Sequence, residues 1–262
     1  MGLARSTLHI TRPYSSLLAF LSILVAVFGR SGNLSLSLGR AAPLLFISFC
    51  TYIINDLDDI EKDRINHPDR PLPKGELKPT FVTIVYFICL ASALFTTRIY
   101  IGATPTSFLY YLVLIASISY RYIVEYLASL KPVYVAAVCS IPVLIVLSYY
   151  PQESSLYIVA ISIFLFVFGR EICKDLLDRA GDPVSFLHKI DARHLAIIGF
   201  AALAVGLFML SMLVDNLLGT FDILAMALLL GVAAVCWFRL GRVSLAINTM
   251  KGIIFLGLYF LL

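Results

Sequence analysis

The sequence predicts an all-α, multi-pass membrane protein with nine transmembrane helices. Three observations carry this. Hydrophobic residues make up 60% of the 262 residues and charged residues only 14%, whereas a soluble domain is about half apolar and a quarter charged. The apolar residues fall in continuous runs near the roughly 20 residues that a helix needs to cross a bilayer, not in the alternation of barrel strands. Finally, 16 of the 20 Lys and Arg gather on one side of the topology that these runs define.

The runs cover about 14–29, 41–55, 80–97, 106–124, 132–149, 155–172, 194–213, 220–238 and 244–262. The first begins as a signal peptide would, with Arg5 and Arg12 ahead of the apolar stretch Leu17–Phe28. No small-residue cleavage site follows, so it is read as a span. The whole of 1–262 is read as a single transmembrane domain. With the N-terminus inside, the inner segments hold Arg5 and Arg12, the group Lys62, Arg64, Arg70, Lys74 and Lys78, then Arg121 and Lys131. They also hold Arg170, Lys174, Arg179, Lys189 and Arg193, and finally Arg239 and Arg242. Positive charge collects in cytoplasmic loops, which puts these segments in the cytoplasm. Membrane topology and anionic lipid then explain the net charge of +4, and nucleic acid is not expected as a partner. Cys50, Cys89, Cys139, Cys173 and Cys236 lie in or beside spans without paired spacing. They read as small hydrophobic residues.

The acids are concentrated. Twelve of the sixteen lie in two inner segments: Asp56, Asp58, Asp59, Glu61, Asp63, Asp69 and Glu76, then Glu171, Asp175, Asp178, Asp182 and Asp191. If the second run continues as a helix, Asp56, Asp59 and Asp63 share a face, as do Asn55, Asp59 and Asp63. Asp175, Asp178 and Asp182 repeat the same offsets, with Glu171 one turn earlier. Like charges at this spacing repel, and carboxylates near a bilayer are costly to desolvate. A divalent cation removes both costs. Carboxylate and amide oxygens suit Mg2+, which completes its shell with water and substrate phosphate. Lys62, Arg64, Arg70, Lys174 and Arg179, placed among the acids, suit either the carboxylates or phosphate. A single such cluster is as often a solvated surface; two with the same offsets favour a diphosphate held through metal.

At these residues the chain resembles the UbiA family of intramembrane prenyltransferases. The segment Asn55-Asp56-Leu57-Asp58-Asp59-Ile60-Glu61-Lys62-Asp63 fits that family's Asn-Asp-x-x-Asp-x-x-x-Asp motif. Asn66-His67-Pro68-Asp69-Arg70-Pro71-Leu72-Pro73-Lys74-Gly75 follows as in the family. Asp175-Leu176-Leu177-Asp178-Arg179-Ala180-Gly181-Asp182 is similar to the second motif, Tyr126 with Leu130-Lys131 to a third, and Arg12-Pro13 to the family's N-terminus. The resemblance implies nine helices around a central cavity capped by the aspartates, and Mg2+ ions holding an isoprenyl diphosphate donor. It implies metal ligands at Asn55, Asp56, Asp59, Asp63, Asp175, Asp178 and Asp182, with Asp59, Asp63, Asp178 and Asp182 as the catalytic set. Lys131, Tyr126, Arg64, Arg70 and Lys174 are the expected diphosphate contacts. The chain departs from the family at Tyr134, where Asn is common, and at His188–Arg193, where a Thr-Leu-Pro stretch is common. Arg170-Glu171-Ile172-Cys173-Lys174-Asp175 looks most like members that prenylate glycerol-phosphate lipids.

The expected chemistry is transfer of the prenyl group, through an allylic cation shielded from water, to a lipid or aromatic acceptor inside the membrane. Tyr110, Tyr111, Tyr120, Tyr122 and Tyr126 are candidates to face the cation, and interface-belt tyrosines are the plainer reading. The sequence names no base for the acceptor proton; Asp191, Glu125 and His67 are the available groups. Lys251, inside the last run, asks for a buried partner or a snorkelling path. Two other activities would use the same acids. One is a terpene cyclase, which shares the metal site and lacks an acceptor. The other is a divalent-cation transporter, which needs acids along the whole path, whereas these gather at one end.

Overall fold

The computed structural model describes residues 3–177, 190–214 and 217–256. Eleven α-helices make up nearly all of it, and the described residues contain no strand. They form two compact units, Met1–Tyr122 and Ile123–Leu262.

The first unit opens with a short amphipathic helix, α1 (Leu3–Ile10), followed by α2 (Pro13–Ser31) and α3 (Leu34–Asp58). Pro13 sits at the first helical position, where its missing N–H costs nothing. Asn33 caps α3 by accepting from the Leu36 N–H. α3 is the centre of this unit and packs against α2 and α5 (Pro79–Thr96). It also packs against the π-helical turn Thr97–Ile101, where the Tyr100 ring fills the space beside Gly39. α6 (Pro105–Tyr126) is tied to α3 by hydrogen bonds at two levels. Thr51 donates to Ser117 at 2.7 Å, and the fully buried Tyr110 donates its hydroxyl proton to the Arg40 carbonyl at 2.6 Å.

The expected unbroken helix through the first acidic segment is not what forms. α3 stops at Asp58, Asp59 takes φ −93° and ψ 9°, and α4 (Ile60–Asn66) begins at once. Asp59 still donates its N–H to the Asn55 carbonyl, and Asp63 to the Asp59 carbonyl. The break therefore bends the path without shifting the register. Beyond α4, residues 67–78 fold on their own backbone bonds. Gly75 adopts φ +76°, open to glycine at no steric cost, and Leu72 and Leu77 are buried beneath the loop. The Ser6 hydroxyl of α1 donates to Glu76 at 2.7 Å, which fastens the amphipathic helix to this loop.

The second unit contains α7 (Lys131–Tyr149), α8 (Ser155–Leu177), α9 (Ala192–Ser211), α10 (Leu217–Phe238) and α11 (Val243–Leu256). α8 packs against α7, α9 and α11. Its crossing with α9 is set by glycine: a Cβ on Gly169 would sit 2.3 Å from the Gly199 carbonyl oxygen. One on Gly199 would meet Cys173 Sγ and the Gly169 carbonyl oxygen at 2.8 Å. Small residues allow such close backbone approach where no aqueous hydrophobic force drives helices together.

Each predicted run falls largely on a helix where it is described, though Met212 and Leu213 at the end of the run 194–213 lie in a turn beyond α9. Seven helices or helical stretches are long and apolar enough to cross a membrane. α6 is not among them, and α11 is described for 14 residues only. Apolar side chains such as Phe87, Phe95, Phe208 and Leu228 lie on the outside, as lipid-facing surfaces require. The chain is an integral membrane protein.

Candidate functional site

In the first unit, four acids at the α3–α4 junction each meet a cation. Asp56 and Asp63 are buried, each 4% exposed. Arg70 Nη1 lies 2.6 Å from Asp63 and 3.7 Å from Asp56. Arg12 Nη2 approaches Asp56 Oδ1 at 2.5 Å, and its guanidinium lies over the Tyr52 ring, 5.1 Å from the centroid. Lys62 lies 3.2 Å from Asp59, and Arg121 lies 3.2 Å from Asp58. Burial pushes the Asp63 carboxyl above its ordinary value, with the hydrogen bond from Arg70 opposing it.

Arg12 is held at φ 43°, the one non-glycine residue with positive φ among the described residues. The residue before a proline is confined to extended conformations, and a non-glycine in the left-handed region costs about 1–3 kcal/mol. Its carbonyl meanwhile accepts from Ser15 and Ser16 at the start of α2. The strained turn points the side chain at Asp56, 44 residues away. The sequence places Arg12 only by topology and by its likeness to a family N-terminus; the signal for a site role is the Arg-Pro pair.

In the second unit, Lys131 is the first residue of α7 and is buried. A cation at a helix N-terminus is opposed by the macrodipole. Asp175 of α8 offsets this, with Oδ1 2.8 Å from Lys131 Nζ. One turn earlier, Glu171 is 4% exposed and paired with Arg170, with Lys174 Nζ 3.8 Å away. The sequence marks Glu171 by its spacing alone; the fold adds its burial among cations.

The other expected residues divide plainly. Arg64 is exposed and paired with the exposed Glu61 at 2.9 Å. Tyr126, at the end of α6, is 73% exposed. Tyr110 spends its hydroxyl on a backbone carbonyl near the start of α3, the end away from the acids. His67 is exposed at the end of α4. Asp191 caps α9, and the hydrogen bond it accepts from the Arg193 N–H holds its carboxyl below the ordinary range. Asp178, Arg179 and Asp182 lie outside the described residues.

Among the described residues, no three His, Cys, Asp or Glu converge as a metal cage. The donor set nonetheless fits a hard divalent cation. Two buried carboxylates, Asp56 and Asp63, approach a single cationic group in Arg70, and all their donors are oxygens.

Apolar helices long enough to cross a membrane, with carboxylates paired to Arg and Lys at a helix end, define the class: a multi-pass helical membrane protein. Sequence comparison narrows it. The UbiA prenyltransferase family matches residues 15–260, and the chain belongs to that family. It is 31% identical over 218 residues to a digeranylgeranylglyceryl phosphate synthase of Methanoregula boonei, covering 76% of this chain and 74% of that one. It is 35% identical over 101 residues to one of Methanoculleus marisnigri, covering 38% of this chain and only 34% of the relative's length. The apo structure of a UbiA homolog from Aeropyrum pernix superposes with a TM-score of 0.72 at 16% identity, covering 98% of this chain and 96% of the other. That likeness supports the fold.

Proposed function

We propose that this chain, acting as one domain, transfers a prenyl group from an isoprenyl diphosphate to the hydroxyl of a glycerol-phosphate lipid in a Mg2+-dependent reaction. Positive charge near the spans supports a cytoplasmic site. The observation that carries the proposal is the pair of buried carboxylates, Asp56 and Asp63, converging on one cation beside Arg12. Family membership and relatives named for a digeranylgeranylglyceryl phosphate product support the substrate class.

In the first unit, Asn55, Asp56, Asp59 and Asp63 would hold the metal; in the second, Asp175, Asp178 and Asp182. Bound Mg2+ supplies positive charge to the leaving diphosphate. In the first unit Arg12 and Arg70 would offer guanidiniums to phosphate oxygens, and in the second Lys131 would offer an ammonium at a helix N-terminus. The allylic C–O bond breaks with its electron pair going to diphosphate. The acceptor oxygen then bonds the allylic carbon and loses its proton, so the products are an ether, diphosphate and a proton. The apolar helices keep water from the cation.

The test uses protein purified in detergent with geranylgeranyl diphosphate, geranylgeranylglyceryl phosphate and Mg2+. Diphosphate release should match ether formation. Asp56→Ala and Asp63→Ala should each lower it about 10³-fold, or about 4 kcal/mol of barrier. Full activity in EDTA or in Asp56→Ala would refute the proposal. Diphosphate release without an acceptor, with a hydrocarbon product, would indicate a cyclase instead.

A further inference from the structure

In the first unit, the two arginines that meet Asp56 stand on different arms of the chain. Arg12 follows α1, and its N–H donates to the His9 carbonyl in the last turn of that helix. Arg70 belongs to the segment 67–78. There the Arg70 carbonyl accepts from the Lys74 N–H at 3.0 Å, and the neighbouring Pro71 carbonyl accepts from the Glu76 N–H at 2.9 Å. The two arms are joined at a second place. Ser6 of α1, buried at 1% exposure, donates its hydroxyl proton to Glu76 Oε2 at 2.7 Å. A closed circuit results. It runs from Ser6 through α1 to Arg12, across Asp56 to Arg70, and through Pro71 to Glu76 and back to Ser6.

Two independent observations give the Ser6–Glu76 join a role beyond fastening a terminus. The first is its strength. A hydroxyl donating to a carboxylate is a charge-assisted bond, and a buried hydroxyl left without its acceptor is costly. The neighbouring Lys74–Glu76 pair, at 2.9 Å, has an exposed Lys74 and is of the kind that contributes little. The second is the backbone of Arg12, held at φ 43° ahead of Pro13. A residue persists in such a conformation only where its surroundings over-determine it. Ser15 and Ser16 fix the Arg12 carbonyl on one side. On the other side α1 is fixed through Ser6, and through Ile10, which is fully buried.

We propose that Ser6 and Glu76 are positioning residues for the donor site. Their bond ties α1 to the segment 67–78 and so holds Arg12 and Arg70 together at Asp56, preorganised for the oxygens of the donor diphosphate. This rests on the prenyl-transfer reading above. Both residues act through the arginines rather than on the substrate.

The experiment uses the full chain in detergent and reads two quantities. The first needs no substrate. Ser6→Ala should lower the melting temperature by about 2–4 °C, the shift of one hydrogen bond in a chain of this length. In an Arg12→Ala background the same change should lower it by at most about half as much, because the bond then holds no ion pair in place. The second quantity is kinetic. Ser6→Ala should raise the donor KM about 10-fold and leave the acceptor KM within about 2-fold. Glu76→Ala breaks the bond from the loop side and should give the same split, which keeps the test open if Ser6→Ala does not fold. Glu76→Gln, whose amide oxygen still accepts from Ser6, should restore the donor KM, and Lys74→Met should leave it unmoved. Additive melting shifts, equal rises in both KM values, or no rescue by Glu76→Gln would each overturn the proposal. If the unaltered protein transfers no prenyl group, the preceding reading fails, while the melting comparison still decides this one.

Discussion

Arg12 shows how a single residue can be strained for a purpose. Its backbone adopts a conformation disfavoured both by its Cβ and by the proline that follows, and its guanidinium reaches Asp56 and covers Tyr52. Substitution separates the two effects. Arg12→Ala and Arg12→Gly both lose the ion pair, but glycine accepts φ 43° freely. We therefore expect Arg12→Gly to be the more stable of the two by about 1 kcal/mol, read as a higher melting temperature in detergent. The reverse order would mean that the turn is not strained. The spacing of the acids is visible in the sequence because i, i+3 and i+7 is a local pattern. Which cation each acid meets is not, because Arg12 and Asp56 are 44 positions apart.

Glycine is the limiting residue among the helices. At the α8–α9 crossing, the Gly169 position has no room for a methyl group. Gly231, in α10, has nothing within 4 Å of where a Cβ would stand. Gly169→Ala should cost about 3 kcal/mol through overpacking. Gly231→Ala should gain about 0.5–1 kcal/mol by removing a flexible residue from a helix interior. Thermal unfolding of the two variants side by side tests this, and equal effects would remove the case for a close crossing. Hydropathy locates these helices but says nothing about which faces touch, since glycine scores the same in a crossing and on a lipid-facing surface. It also misses the break at Asp59. The acids on either side keep helical spacing, and the bend lies in one backbone dihedral pair.

At the scale of the molecule, paired carboxylates and cations set a resting state that metal should change. If Mg2+ binds the folded chain at the aspartates, a concentration about 100-fold above its dissociation constant should add about 2.7 kcal/mol of stability. EDTA should reverse the gain, and Asp56→Ala should abolish it, as followed by melting temperature. A gain that persists in Asp56→Ala would point to ion binding elsewhere.

Membrane residence, the order of the helices and the two acid-rich segments could all be read from the chain as written. Length of apolar run, charge asymmetry and helical offset are properties of neighbouring residues. Family resemblance added the expected chemistry. The partners of those acids depended on folding: Arg12 and Arg70 on Asp56, and Lys131 on Asp175. Such pairs join residues brought together by the packing of separate helices, and no local pattern records which faces of those helices meet.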